Sequence, residues 1–330
     1  MDLEALDRYL TEREMPTWRA DQVWGWLARG AAGFDQMTDL PKDLRSDLEQ
    51  GFAISTLEVS GSALSKDGTE KTLFETADGR PVEAVLMRYR DGRRSLCLSS
   101  QSGCPLTCTF CATGTMKFGR NLTGDEIVDQ ALHFRRVEPI DHAVFMGMGE
   151  PMMNLDAVFD ACERLPEVGI ANSKTTVSTV GWLPGIERMA KEGPSVRLAL
   201  SLHAPEDELR SEIMPVNDRY PIAELIEACL EWRHRRKRKV FVEYLMLAGV
   251  NDSTEQAREL ASLLGRDHDF KVNLIPFNPS GTGYEGSSRE AIDEFRRTLV
   301  RGGVHATVRL TRGRDIDAAC GQLAAREAIA

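Results

Sequence analysis

The stretch Cys97-Leu-Ser-Ser-Gln-Ser-Gly-Cys104-Pro-Leu-Thr-Cys108-Thr-Phe-Cys111 follows a β-type run at 95–99 and ends in three cysteines spaced C-x₃-C-x₂-C. Three thiolates on one short loop can hold three irons of a [4Fe–4S] cluster, because closely spaced cysteine runs bind such clusters. The fourth iron then stays open to a substrate or cosubstrate, which separates a catalytic cluster from a four-cysteine electron carrier. Two plainer readings stand beside this one: three buried thiols, or a zinc site completed by a histidine. The second C-x₂-C pair of the commonest zinc knuckles is absent from the chain.

Upstream of this stretch the texture is first helical, then β. Leu3, Leu6 and Leu10, then Val23, Trp24 and Leu27, keep helical spacing, and Thr38-Asp-Leu-Pro41 reads as a turn into a further short helix. From about 53 onward the runs 72–76, 82–89 and 95–99 read as strands, with Asp78-Gly79 and Asp91-Gly92 as hairpin turns. Downstream, strand candidates at 143–146, 175–179, 196–201, 240–245, 272–275 and 306–310 alternate with helical stretches such as 124–134, 222–235 and 253–264. Strands alternating with helices predict βαβ units and a parallel sheet, with the spacing of a barrel or partial barrel and its chemistry at the C-terminal strand ends. Three units follow: a helical module at 1–52, a β-rich extension at 53–96 and an α/β core at 97–330.

The bulk numbers leave this picture standing. With 330 residues, 42% hydrophobic and 28% charged, the chain is an ordinary folded protein. An odd cysteine count of 7 does not suit a secreted disulfide framework. The opening MDLEALDRYL lacks a basic, then apolar, leader, and no run reaches ~18 apolar residues. A cytoplasmic, membrane-free protein is the expectation.

Four cysteines lie outside the triplet. Cys162 and Cys229 sit in helical patterns and read as core thiols. Cys320 follows the polar, glycine-containing run Thr311-Arg-Gly-Arg-Asp-Ile-Asp317, which predicts a mobile turn, and Arg312 and Arg314 are near enough in sequence to favour its thiolate.

The triplet spacing, with Phe110 before its last cysteine, resembles the radical S-adenosylmethionine (SAM) superfamily. Within it the chain is similar to the dual-specificity RNA adenine-C2 methyltransferases, which act on adenosine 2503 of 23S ribosomal RNA and adenosine 37 of transfer RNAs. The matching segments run in order: Asp39-Leu-Pro-Lys-Asp-Leu-Arg45, Val82-Glu83, Cys97 to Cys104, Arg120-Asn-Leu-Thr123, Gly147-Met-Gly-Glu-Pro151, Val177-Ser-Thr-Val-Gly181, Ala199-Leu-Ser-Leu-His203, Asn273-Leu-Ile-Pro-Phe-Asn-Pro279 and Asp315 to Leu323. The resemblance implies a partial (β/α) radical SAM barrel carrying an N-terminal helical accessory module and a β extension.

It also implies a scheme that the target demands. Adenine C2 is an electrophilic carbon that offers no nucleophile to an ordinary methyl donor, so a radical route is needed. Cys104, Cys108 and Cys111 would hold one [4Fe–4S] cluster, and two SAM molecules would be used per turnover. The first would methylate Cys320, and the second would be cleaved to a radical that removes hydrogen from that methyl group. The resulting carbon radical adds to C2 and joins protein to RNA. Glu83 would then take the C2 proton and Cys97 would displace the product, leaving a Cys97–Cys320 disulfide for a cellular reductant. Gly149, Glu150, Ser178, Ser201, Leu202, His203 and Asn278 match the positions that contact SAM. Ribosomal and transfer RNA are the implied partners of a monomer.

Other readings stay open on the residues alone: a C8-methylating antibiotic-resistance relative, a non-methylating Fe–S protein, or an RNA-binding zinc protein. Arg314 replaces the acidic residue common in the C2 family, and Thr115-Met-Lys-Phe118 is similar to a divergent branch. The basic run Arg233-His-Arg-Arg-Lys-Arg-Lys239 suits either RNA phosphates or a solvated helix end. Gly281-Thr-Gly-Tyr-Glu-Gly286 lacks the setting of a phosphate loop, and Trp18, Trp24 and Trp26 read as core. A net charge of −10 argues at first against RNA, but residues 1–60 alone carry 12 acidic against 6 basic side chains. Arg88, Arg90, Arg93, Arg94, Arg309, Arg312 and Arg314 gather instead in the segments of Glu83, Cys97 and Cys320.

Overall fold

A computed structural model describes residues 1–265 and 269–324. In chain order the elements are α1 (Leu3–Glu12), α2 (Trp18–Ala28), α3 (Lys42–Gly51), β1 (Leu57–Leu64), β2 (Glu70–Thr76), β3 (Pro81–Arg88), β4 (Arg94–Cys97), β5 (Gln101–Ser102), β6 (Arg120–Asn121), α4 (Gly124–Arg135), β7 (His142–Phe145), α5 (Leu155–Val168), β8 (Thr175–Thr179), α6 (Leu183–Glu192), β9 (Arg197–Ser201), α7 (Asp207–Ile213), α8 (Ile222–Arg236), β10 (Val240–Met246), α9 (Thr254–Leu264), β11 (Phe270–Pro276), α10 (Arg289–Arg301) and β12 (His305–Val308).

Ten strands form one sheet in the order β1-β2-β3-β4-β7-β8-β9-β10-β11-β12. From β4 to β12 every neighbour pair is parallel, whereas β1 to β4 pair antiparallel. This is an open α/β barrel extended by a hairpin-linked β flap, as the strand–helix alternation predicts. The helices bury one face each: Val158, Ala161, Cys162 and Leu165 on α5, and Leu225, Cys229 and Trp232 on α8, all lie in the main core.

The structure adds β1, absent from the sequence-derived strands. Its side chains are mostly exposed, its sequence Leu-Glu-Val-Ser-Gly-Ser-Ala-Leu is rich in small residues, and a register shift between Val59 and Gly61 breaks its period. An edge strand with one paired side needs no strong apolar alternation.

The helical module is fastened to the core by polar pairs. Asp125 on α4 accepts from the Leu3 backbone N–H at 3.2 Å. Trp24 Nε1 donates to Glu167 on α5 at 2.9 Å. Trp24 is therefore core as expected, but Trp18 is 50% exposed, stacked only by Arg19. Part of the basic run at the end of α8 is engaged locally: Arg233 pairs with Asp269, Arg235 with Glu231, Arg236 donates to the Met189 carbonyl and Arg238 to Ser195.

Candidate active site

The C-terminal ends of the parallel strands open into a cavity of roughly 150 Å³ that is continuous with solvent. Its wall carries Cys104, Cys108 and Cys111, then Gly149 and Glu150, Ser178, Ser201, His203, Glu243 and Cys320. Residues from six places in the sequence thus meet where a barrel collects its ligand groups.

Burial raises the pKa of all three triplet thiols, Cys104 to about 12, and the neighbouring thiols push Cys108 up further. Clustered thiols that resist ionising in bare protein suit a bound cation, which removes their protons on binding. Among the described residues no three ligand-type side chains converge on a single-ion site. Three thiols from one short loop fit three irons of a multi-iron cluster with one iron left open, while the fourth thiol on this wall, Cys320, comes from a distant segment.

Beside them, Gly149 has φ +94°, and a Cβ there would stand 2.5 Å from Gln101 Cβ. Only glycine lets the backbone pass this close. Gln101 Oε1 accepts from the Glu150 N–H at 2.8 Å. The Glu150 carboxylate accepts from the Val180 N–H at 2.9 Å and the Met152 N–H at 3.0 Å, yet burial outweighs these bonds and raises its pKa to about 7. Such a carboxyl lacks a positive partner, which a bound ammonium group would supply.

A polar layer crosses the barrel interior. Ser178 and Ser201 approach at 3.4 Å, Ser201 is the register partner of Glu243, Glu243 of Asn273, and Asn273 of Thr307. Asn273 donates to Glu243 at 3.0 Å, and Thr307 donates to Asn273 at 2.6 Å. His203 has φ 62° and accepts the Leu245 N–H on Nδ1 at 3.0 Å, which leaves its proton on Nε2. Burial and then Arg210 lower its pKa to about 3, so it stays neutral. Behind this wall, fully buried Arg210 donates to the carbonyls of Leu202, Val180 and Ser201 and to Asn217.

A smaller cavity adjoins, lined by Cys97, Cys320, Arg309, Asn278 and Leu323 among others. Burial, the Cys320 charge next, raises the Cys97 pKa to about 12, with Arg309 opposing. The cation facing Cys320 is Arg309, whose own pKa is raised first by Cys320. Arg312 and Arg314 are engaged elsewhere: Arg312 donates to the Asp67 carbonyl at 2.9 Å, and Arg314 donates to Asn278 at 2.7 Å and the Phe277 carbonyl at 3.0 Å. The turn bearing Cys320 is also tied down, with Ala112 N–H donating to the Gly321 carbonyl at 2.8 Å and Gln322 to the Pro279 carbonyl at 2.8 Å.

Glu83 lies outside both cavities. It is fully buried, pairs with Lys71 at 3.0 Å and accepts the Ala324 N–H at 2.9 Å. In register Val85 faces Cys97, so alternation along β3 puts Glu83 on the face of the sheet that Cys97 shares. Leu202 is buried in the core by its side chain, its N–H donates to the Glu243 carbonyl at 3.1 Å and its carbonyl accepts from Arg210 at 3.0 Å, and Asn278 is turned to Arg314 in the smaller cavity. The arginine cluster is largely neutralised: Arg88 pairs with Glu70 and Glu138, Arg94 with Glu138, and Arg93 with Asp91. Lys71, Arg210 and Glu243 are the site groups that sequence reading missed, and Arg309 was named there only as one of seven arginines in the reactive segments. The advance signal for Glu243 was its place in a β-type run.

Comparison with known proteins gives the same picture. Residues 98–261 match the radical SAM superfamily model, and residues 1–54 match the ribosomal RNA large subunit methyltransferase N-terminal domain. The dual-specificity RNA methyltransferase RlmN of Geobacter sulfurreducens is 45% identical over 328 residues, covering 98% of this chain and 90% of that protein. The chain belongs to the RlmN family. A probable RlmN from Thermus thermophilus is 46% identical over 327 residues, covering 96% of this chain and 92% of its own length. A crystal structure of a radical SAM methyltransferase from Sphaerobacter thermophilus superimposes with a TM-score of 0.92 at 43% identity, covering 99% of this chain and 98% of that one. In this RlmN-family chain, the radical SAM model thus begins just after Cys97 and takes in the three clustered cysteines.

Proposed function

We propose that the chain methylates C2 of adenosine 2503 in 23S ribosomal RNA and of adenosine 37 in transfer RNA, using Cys320 as carbon carrier and Cys97 as resolving thiol. The observation that carries this reading is the shared cavity of Cys97 and Cys320 beside the three-cysteine wall. When bound there, the cluster and SAM supply a methyl electrophile and, in a second use, a hydrogen-atom acceptor.

The chain's own groups then have defined tasks. Cys104, Cys108 and Cys111 hold the cluster. Gly149, Glu150, Ser178, Ser201, Leu202 and His203 bind SAM, with Asn278 reached across the smaller cavity. Cys320 Sγ takes the methyl group and, after hydrogen removal, its carbon bonds to C2. Glu83 accepts the C2 proton, and the unpaired electron of the adduct would pass back to the oxidised cluster, leaving a closed-shell thioether. Cys97 Sγ, as thiolate, then attacks Cys320 Sγ, the S–CH₂ bond breaks toward the adenine, and the carbanion so formed takes the proton back from Glu83, leaving methylated product and a Cys97–Cys320 disulfide that a cellular dithiol reduces. Arg309 is the charge that steadies sulfur anions during both displacements. The target adenine must be unstacked to reach this depth, so RNA shape governs recognition.

The reading takes residues 1–52 as accessory module, 53–96 as β extension and 97–330 as core, in a monomer working in the cytoplasm. No described helix is long and apolar enough to cross a membrane. Deletion of the gene tests the assignment: 2-methyladenosine disappears from 23S and transfer RNA. Its persistence, or loss of 8-methyladenosine instead, overturns the reading.

A further inference from the structure

The hairpin turn between β1 and β2 and the chain just before Cys320 hold each other by reciprocal carboxylates. Asp315 accepts the Ser65 hydroxyl at 2.5 Å and the Lys66 N–H at 3.1 Å. In return Asp67 accepts the Gly313 N–H at 3.0 Å, and its carbonyl accepts Arg312 Nη1 at 2.9 Å. One strand further, Lys71 Nζ reaches the Asp317 carbonyl at 3.4 Å. Gly313 has φ +66°, and a Cβ there would stand 2.8 Å from Ala318 and 2.9 Å from Thr69. The Gly313 backbone therefore packs directly against the Thr69 side chain, so the two segments are in contact and not merely bridged by long side chains.

Both carboxyls are held below the usual range. At Asp315 the Ser65 hydroxyl does most of this, and at Asp67 burial pushes upward but the bonds from Thr69 and Gly313 outweigh it. Charged acceptors make the stronger hydrogen bonds. From Asp317 the chain has two residues before Cys320, and Ala318 N–H returns to the Gly313 carbonyl at 2.9 Å. Little slack separates this junction from the reactive sulfur.

We infer that turn 65–69 and segment 313–317 form a clasp that sets the position of Cys320 against Cys97, with Asp67 and Asp315 as its positioning residues. Turn 65–69 of the β extension thereby serves the reaction without touching substrate. This rests on the proposed pairing of Cys97 with Cys320. Proximity fixes the effective concentration of two groups, and that quantity responds steeply to small displacements.

The test measures that concentration directly. Full-length, cluster-loaded protein is equilibrated anaerobically in glutathione buffers, and the Cys97–Cys320 disulfide is quantified by peptide mass spectrometry. Asp315→Ala and Asp67→Ala each lower the thiol–disulfide equilibrium constant by about tenfold, the factor that one or two charge-assisted hydrogen bonds control. Asp315→Asn, whose amide oxygen still accepts from Lys66, falls between. Iron content stays at the wild-type level, and kcat falls while the KM for RNA holds. Asp78→Ala, which breaks the exposed Arg120 pair elsewhere, leaves the constant unchanged and separates positioning from general loosening. Constants within twofold of wild type in both clasp variants overturn the clasp alone. A wild-type protein that forms no such disulfide in any buffer overturns the clasp together with the pairing beneath it.

Discussion

Glu150→Gln in cluster-free protein exposes the cost of holding an acid in the cavity wall. The folded carboxyl has its pKa raised to about 7, against 4.5 when solvated, and burial is the cause. Between these two values the unfolded chain has lost the proton that the folded chain keeps. Stability therefore falls as pH rises from about 4.5 to about 7 and is level above. The gap is worth ~3 kcal/mol. Glutamine has no such titration. It does lose one good acceptor, because only its oxygen can replace the two that face Val180 and Met152, and that offset of ~1–3 kcal/mol is independent of pH. The sign of the substitution at any one pH is thus undetermined, but its pH dependence is not. Urea unfolding of both proteins at pH 5 and pH 8 gives a stability difference, variant minus wild type, that rises by ~3 kcal/mol toward pH 8. A difference flat to within ~0.5 kcal/mol would refute the burial argument. The same variant binds SAM more weakly when the cluster is loaded, since a neutral amide cannot pair with the ammonium group. A relative stability that rises with pH, together with lost affinity, marks a site residue.

The other predictions concern the thiols and the frame behind them. Cys97→Ala accumulates a covalent protein–RNA species through Cys320, seen as a nuclease-resistant band shift, and ordinary turnover by this variant removes Cys97 from its role. Cys320→Ala abolishes methylation with cluster absorbance intact, whereas Cys104→Ala loses iron. Gly149→Ala forces a Cβ against Gln101 at positive φ, and a cost of roughly 2–4 kcal/mol with at least about tenfold weaker SAM binding is expected; unchanged binding argues against close approach there. Arg210→Met strips its hydrogen bonds from three buried carbonyls and lowers stability by roughly 3 kcal/mol, read as a urea midpoint shift.

What the sequence made legible was local chemistry. Cys104, Cys108 and Cys111 declare themselves because cluster ligation demands short spacing, and β7 to β12 because buried parallel strands are short apolar runs. The cavity's charged groups gave no such sign. Glu243 and Arg210 look like ordinary surface charges until lateral strand register and a returning helix bury them, and register is a long-range property. Arg312 and Arg314 misled for the converse reason: nearness in sequence to Cys320 says nothing of direction, and both turn away to Asp67 and Asn278. Charge summed by segment failed similarly, because Arg88 and Arg94 find their acids on Glu70 and Glu138.

Residues 321–324 do one thing more. Thr113 holds the Leu323 carbonyl at 2.6 Å, and the next N–H caps Glu83. On the reading given above, the proton acceptor is roofed by the same length of chain that bears the methyl-carrying sulfur. Glu83 and Cys320 are thereby set by one piece of chain, so a change that shifts residues 321–324 takes the cap from the carboxylate and moves the sulfur together.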